Sequence, residues 1–407
     1  MVSFWSQIAQ RPFLKFFLFN GVTAALFGVG FYVKRHWKLP TTSQGVLVIA
    51  SLLVPLNFLA IAAFARGTAP GDPLLIAGEV ASLALFGWLV LKAGRTIVPT
   101  DRWALAAGVM IPSMLQLLTG RLMRPPIEPA ILWTLAAAMT VSHGAAVAAW
   151  ARRIRSTVLD EASGHAALRL LGITGFASLL GLGLLLYQSG SVAATAASLA
   201  PLLTLLALPT LLVGLKLWHW SATELAGLKL VGTTLVLAAA AADLACLTLA
   251  WPDPSRLLPV AGINFIALSW LAFAGRIPAL HYAGGGCLLL MGLVIHHLAR
   301  GLDSWSAGAR ELAADGFLAL SWGTGGQLLS LATAQALLPL AVVMLGVAFA
   351  LARRVSKLHA QPYVHLAVGC TIGGSALLAI LGVFLSATPG NAAVWLLGYA
   401  ILSLSLA

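Results

Sequence analysis

Residues 45–65 read GVLVIASLLVPLNFLAIAAFA, a run with no charged side chain. As a helix it rises about 30 Å, the thickness of a bilayer's hydrocarbon core, and it pairs its backbone donors and acceptors internally. The stretch therefore predicts a membrane-spanning helix, and the same test can be carried outward along the chain. At about 20 mainly apolar residues per crossing, candidate spans fall at roughly 13–33, 45–65, 73–92, 103–120, 130–150, 167–187, 193–215, 226–250, 257–274, 279–299, 316–333, 336–352, 363–385 and 392–406. The expected fold is all-α, a polytopic transmembrane helix bundle of about 13–14 spans forming one integral membrane domain over 1–407. The stretch from Phe317 to Ala352 is the weakest: Gly323, Gly325, Gly326 and Gln327 interrupt it and Pro339 divides it, so it holds one full span and one partial one.

Composition agrees with these spans. Of 407 residues, 60% are hydrophobic and 9% charged, against about 25% charged in a soluble domain. Twelve acidic and twenty-four basic residues are too few to cover the two or three soluble cores a chain of this length would form. The net charge of +12 sits in short groups between apolar runs. That arrangement favours anionic lipid headgroups as partners over nucleic acid. Cys246, Cys287 and Cys370 each lie inside an apolar run without CxxC or Cys/His spacing and read as packing residues.

The first run starts near Phe13 after Arg11, contains Lys15 and extends to about Val33, which is longer than a cleaved signal's apolar region. It reads as a retained anchor or first span. The longest polar stretches, 151–166 and 300–315, are too short for a soluble domain. The chain ends on the apolar run Trp395 to Ala407 with no polar tail, as expected of a truncated or split reading frame.

Orientation follows lysine and arginine in short loops. Loops after the first, third, fifth and seventh spans carry Lys34, Arg35 and Lys38; Lys92, Arg95 and Arg102; Arg152, Arg153 and Arg155; and Lys216. The alternating loops carry Arg66, then Arg121 and Arg124, then no basic residue between Gln188 and Ser191. The first set is expected on the cytoplasmic side. Two full crossings between 316 and 352 would place Arg353, Arg354 and Lys357 outside; a half-span repairs the conflict and leaves 13 crossings.

Ionisable groups within a span are costly and face a cavity, a pore or a partner. Asp243, in AAAADLACLTLAW (239–251), lies about two turns from Trp251. Glu79, in IAGEVASLALF (76–86), lies about two turns into the third span. These two are the candidate intramembrane polar site for a proton or cation, with pairing to a neighbouring helix as the structural alternative. Pro55 in LLVPLNFLA and Pro112 in VMIPSMLQL are candidate helix breaks, each with a polar neighbour, Asn57 or Gln116, and each explicable as a tolerated kink.

Nine histidines raise metal or haem chemistry. His281 and His296 are about 22 Å apart along one helix, too far for one metal. His296 and His297 project about 100° apart. His143 stands alone in its span, and His359 and His365 lie across a loop edge. His36, His165, His219 and His359 fall at span ends, where interfacial anchoring is expected. Trp5, Trp37, Trp103, Trp150, Trp218, Trp220 and Trp251 lie near span ends and read as an aromatic belt. Glycine clusters at 284–286, 323–326 and 373–374 lack the lysine and strand-turn-helix setting of a phosphate loop and read as close helix packing. No GxSxG elbow or HExxH is found, and Asp160–Glu161 reads as a solvated charged loop.

HWKLPTTSQGVLVIASLLVPLNFLAIAAF (36–64) and RIPALHYAGGGCLLLMGLVIHHLARG (276–301) resemble segments of large bacterial multi-span membrane proteins that carry no assigned function. The two cover about an eighth of the chain, and the resemblance supplies no functional residues. The second stretch is also similar to nitric-oxide-response haem and copper membrane proteins in its PALH start and glycine-rich helix. It departs from them in lacking their N-terminal histidine-rich helix and in carrying His296–His297 where a different helix end is expected. No cofactor is assigned. Transport or permeation of a small solute or ion through the bundle is the expected role, in the bacterial cytoplasmic membrane. A structural or scaffold anchor is the competing class, and a haem- or metal-binding membrane protein the third.

Overall fold

A computed structural model describes residues 12–64, 73–122, 128–153, 160–220, 226–251, 253–299, 330–384 and 389–406. These residues form fourteen α-helices and two π-helical segments, with no strand among them. In chain order the helices are α1 (Pro12–Tyr32), α2 (Pro40–Phe64), α3 (Pro73–Ile97), α4 (Arg102–Leu122), α5 (Pro129–Arg153), α6 (Glu161–Gln188) and the short α7 (Val192–Ser198). There follow α8 (Ala200–Trp220), α9 (Ala226–Ala250), α10 (Pro254–Ala274), α11 (Leu280–Ala299), α12 (Leu331–Arg354), α13 (Lys357–Leu377) and α14 (Pro389–Leu406). The π-helical segments, Val33–Trp37 and Leu378–Phe384, extend α1 and α13.

The helix starts have local causes. Pro12, Pro40, Pro73, Pro129, Pro254 and Pro389 open their helices, where a missing N–H costs nothing and the fixed φ suits the first turn. Asp160, Ser330 and Ser356 cap others, and Asp253 caps the helix that Pro254 opens, each accepting a backbone N–H in the first turn. Between the π-helical extension of α1 and the start of α2 only Lys38 and Leu39 intervene. Lys38 takes a left-handed conformation (φ 53°) to reverse the chain, and Ser43 Oγ donates to Gly30 O (2.8 Å) across the turn.

The sequence's spans within the described residues reappear as helices, with two revisions. The span expected at 193–215 is divided at Leu199 into α7 and α8. Pro339 lies inside an unbroken α12 rather than at a division. A proline ring removes one N–H, and a membrane helix tolerates that loss where its neighbours continue the ladder. The span expected at 316–333 lies outside the described residues except for 330–333, which cap and open α12. Gly323, Gly325, Gly326 and Gln327 fall in that undescribed part. Among the described residues, twelve helices are long and apolar enough to cross a membrane, and Ala392–Leu404 adds a shorter apolar one.

The chain divides into two compact units, 1–239 and 240–407. In the first, α4 packs against α2, α3, α5 and α6. The core centres on Phe27, Phe58, Phe86 and Trp150, with Phe58 and Phe86 edge-to-face at 6.0 Å. Glycines set the approach of α8 to α9: a Cβ on Gly214 would sit 2.8 Å from Gly232 O, and one on Gly232 would sit 2.6 Å from Trp218 N.

Loops that the sequence assigned to one side do meet in this unit. Lys34 Nζ donates to Thr96 Oγ1 (2.8 Å) and Gln44 Nε2 to Thr96 O (3.1 Å). Arg153 pairs with Asp101 (3.0 Å) and donates to Thr100 O. Lys216 Nζ donates to Ala151 O (2.8 Å). The basic loops after α1, α3 and α5 and the end of α8 thus form one face.

The second unit pairs α10 with α11 and α12 with α13, and α14 lies against α13. Its core holds Met344, Ala348, Tyr363, Ala367 and Cys370. His297 of α11 and Thr333 of α12 hydrogen-bond at 2.9 Å, so α12 begins at the end where α11 finishes. His281 and His359, 3.0 Å apart, bring the starts of α11 and α13 together at the opposite end. Arg353, Arg354 and Lys357 therefore stand at the end where α11 begins. The half-span expected between 316 and 352 falls mostly outside the described residues.

Polarity is distributed inside out. Ser113, Gln116, Thr174, Thr204 and Asn264 are wholly buried, whereas Leu230 and Ile266 are each 67% exposed. Buried hydroxyls return their protons to backbone carbonyls one turn back, as Ser113 does to Val109 O (2.8 Å) and Thr174 to Leu170 O (2.7 Å). Apolar outer faces around polar interiors suit lipid as solvent. The protein is an integral, multi-pass membrane protein.

Candidate functional site

Alanines 238–242 carry α9 up to Asp243. Ala240 and Leu247 pack on Ala261, Leu268 and Cys287. Asp243 is wholly buried there. Neither carboxylate oxygen has a hydrogen-bond partner among the described residues. Asn264 of α10 does not supply one: its Nδ2 donates to the backbone oxygens of Asp243 (3.1 Å) and Val260 (3.0 Å). Its own Oδ1 is left without a donor. Two helices are thereby tied at a point where three side-chain oxygens lack a donor among the described residues, and an unpaired carboxylate charge in this setting costs several kcal/mol.

Glu79 has a different setting. Arg121 of α4 donates Nη2 to Glu79 Oε2 at 2.6 Å, with the two side chains 26% and 6% exposed. Its charge is met within the protein, by an arginine the sequence reading had assigned only to a loop. Pro55 and Pro112 lie inside α2 and α4, which run unbroken through them. The helix breaks expected there are not formed, because one missing N–H leaves the rest of each ladder in place. Asn57 instead ties α2 to α1, donating to Thr23 Oγ1 (2.8 Å) and Phe19 O (3.3 Å).

A second constellation lies in the unit that holds Asp243. His281, wholly buried at the start of α11, uses both ring nitrogens. Nε2 meets His359 Nδ1 at 3.0 Å and Nδ1 meets the Tyr363 hydroxyl at 3.2 Å. Phe273 packs on both imidazoles, its centroid 4.8 Å from His281 and 5.2 Å from His359. Tyr282 and His365 make a neighbouring, exposed pair. The sequence reading placed His359 at an interface and missed this contact. A signal was present: His359 and Tyr363 are four apart and share one face of α13.

Other polar groups have structural explanations. His143 hydrogen-bonds Thr174 Oγ1 (2.8 Å). Trp150, expected in the aromatic belt, is fully buried with Lys216 over its ring at 5.9 Å, while Trp37 and Trp103 are exposed as a belt requires. Gly285 faces Leu366 and Gly374 faces Tyr399, consistent with packing.

Outside the spans, Asp160 caps α6 through Ser163 N (3.0 Å), and that bond holds its carboxyl below the ordinary value. Burial raises the Asp101 carboxyl despite Arg153 beside it. Among the described residues no three His, Cys, Asp or Glu side chains gather closely enough to hold a metal. Comparison with family models, curated proteins and solved structures finds no match for the chain.

Proposed function

We propose that the protein moves protons or a small cation across the bacterial cytoplasmic membrane, with Asp243 as the intramembrane site. The observation that carries this reading is the Asp243 carboxyl: wholly buried in a membrane helix, with neither oxygen partnered among the described residues. A carboxyl so placed is stable when it holds its own proton or faces a cation, and exchange between those states is the elementary step of ion coupling. Asn264, with its unpartnered Oδ1, supplies a second, neutral oxygen on the adjoining helix.

The basic face formed by Lys34, Arg153 and Lys216 supports a cytoplasmic orientation for that side and contact with anionic headgroups.

The test places a single cysteine at 243 with Cys246, Cys287 and Cys370 replaced by alanine, and measures labelling by a membrane-impermeant thiol reagent from each side. Labelling from either side is expected, and reconstituted Asp243→Asn should lose proton or sodium flux. Protection from both sides together with unchanged flux in Asp243→Asn would remove Asp243 from the mechanism and favour the scaffold role.

A further inference from the structure

We infer that Tyr363, His281 and His359 form a proton path between the interior of the second unit and the end where α11 and α13 begin; its use rests on the proton-transport reading above. The path's order follows from burial. Tyr363 is 1% exposed, His281 is wholly buried and His359 is half-buried.

The chemistry of the central ring sets the states the path can take. A neutral imidazole donates from one nitrogen and accepts at the other. With both nitrogens of His281 engaged, the chain has two coherent arrangements. In the first, the Tyr363 hydroxyl donates to His281 Nδ1, and His281 Nε2–H donates to His359 Nδ1. In the second, every donor and acceptor is reversed.

One transfer converts the first arrangement into the second. A proton arrives at the Tyr363 oxygen, the hydroxyl proton passes to His281 Nδ1, and the Nε2 proton of His281 passes to His359 Nδ1. His359 then releases its Nε2 proton outward. One proton enters and one leaves, only O–H and N–H bonds form and break, and no redox partner is involved. Phe273 covers both imidazoles, so the rings are the polar route through this packing.

The molecule contains its own contrast. His143 is also buried and also hydrogen-bonded, but its partner Thr174 donates onward to the Leu170 carbonyl (2.7 Å). A backbone carbonyl accepts and does not pass a proton on, so that chain is a structural tie that ends there. The His281 chain has a titratable group at each end, linking helices whose residues lie 78 and 82 positions apart. Satisfying one buried imidazole does not require two such partners.

The experiment uses the full chain in lipid nanodiscs and proteoliposomes. Histidine ring ¹⁵N spectra, with His281 assigned by loss in His281→Gln, should show one tautomer locked by two hydrogen bonds. Tyr363→Phe, which keeps the ring and removes only the hydroxyl, should shift both His281 nitrogens. Proton flux under an imposed potential should fall by at least roughly tenfold in Tyr363→Phe and in His359→Gln.

Unchanged His281 resonances in Tyr363→Phe would overturn the path whatever the flux. Wild-type flux that persists in both variants would do the same. If the wild type carries no protons while the resonances respond to Tyr363→Phe, the coupled chain stands and the transport reading falls. Asp243→Asn separates the two sites, since it should reduce flux without moving the His281 resonances.

Discussion

Replacing Arg121 with methionine keeps most of the side chain's length and apolar contact but removes the guanidinium that neutralises Glu79. The carboxylate left behind is 6% exposed, on a helix whose neighbours offer its second oxygen no donor among the described residues. Breaking a buried pair from one side typically costs about 3–5 kcal/mol. Arg121 itself keeps 26% of its side-chain surface, which places the expected loss at the lower end, about 3 kcal/mol. Adding Glu79→Gln removes the stranded charge. The double variant should therefore recover to within about 1 kcal/mol of the wild type, a coupling of about 2 kcal/mol plus whatever Glu79→Gln costs alone. Reversible unfolding in mixed micelles, read by tryptophan fluorescence and helical circular dichroism, gives all four corners of the cycle. A loss below about 1 kcal/mol in Arg121→Met, or a double variant no more stable than that single one, would refute the assignment of this pair as a buried structural tie.

Gly232→Val should cost about 1–3 kcal/mol by the same assay, since its Cβ would meet the backbone of α8 and backbone atoms cannot move aside as a flexible side chain can. Asp160→Ala should destabilise the start of α6 by about 1 kcal/mol at neutral pH, seen as faster hydrogen exchange in its first turn. Because the folded value of Asp160 lies below its ordinary 3.8, the cap's contribution is present above that value and is lost as pH falls through the folded one. Asp101 has the opposite sign. Its folded value lies above 3.8, so the stability its proton supplies is fully present below 3.8 and is lost as pH rises through the folded value. Arg153→Ala, which removes the opposing charge, should steepen that loss in a melting temperature measured against pH.

The helices were legible because membrane insertion selects on a one-dimensional property. A run such as 45–65, long enough and uncharged, has few alternatives, and prolines such as Pro40 and Pro254 mark helix starts by their missing donor. Pro339 shows the limit of that rule. The same missing donor is neutral at a helix start and tolerable in an interior, and the surrounding packing decides which applies. Asp243 was legible as a charged residue in an apolar helix, whereas its lack of partners was not, because that depends on what the facing positions of α10 present. Glu79 and Arg121 lie 42 positions apart, and His281 and His359 lie 78 apart. Neither pair leaves a trace in local periodicity. Trp150 fails for a related reason: position near a span end does not say which side of the helix faces lipid.

The hairpin of α1 and α2 also bears on biosynthesis. Two residues, Lys38 and Leu39, give about 7 Å of chain between the π-helical end of α1 and Pro40. The first helix cannot drift away from the insertion site before the second begins to emerge, so the pair is expected to leave the ribosome and enter lipid as one hairpin, with Lys34, Arg35 and Lys38 retained at its tip. A flexible insert between Leu39 and Pro40 would let each helix integrate alone. The early folding step would then become a search for the partner helix instead of a reversal already set by Lys38.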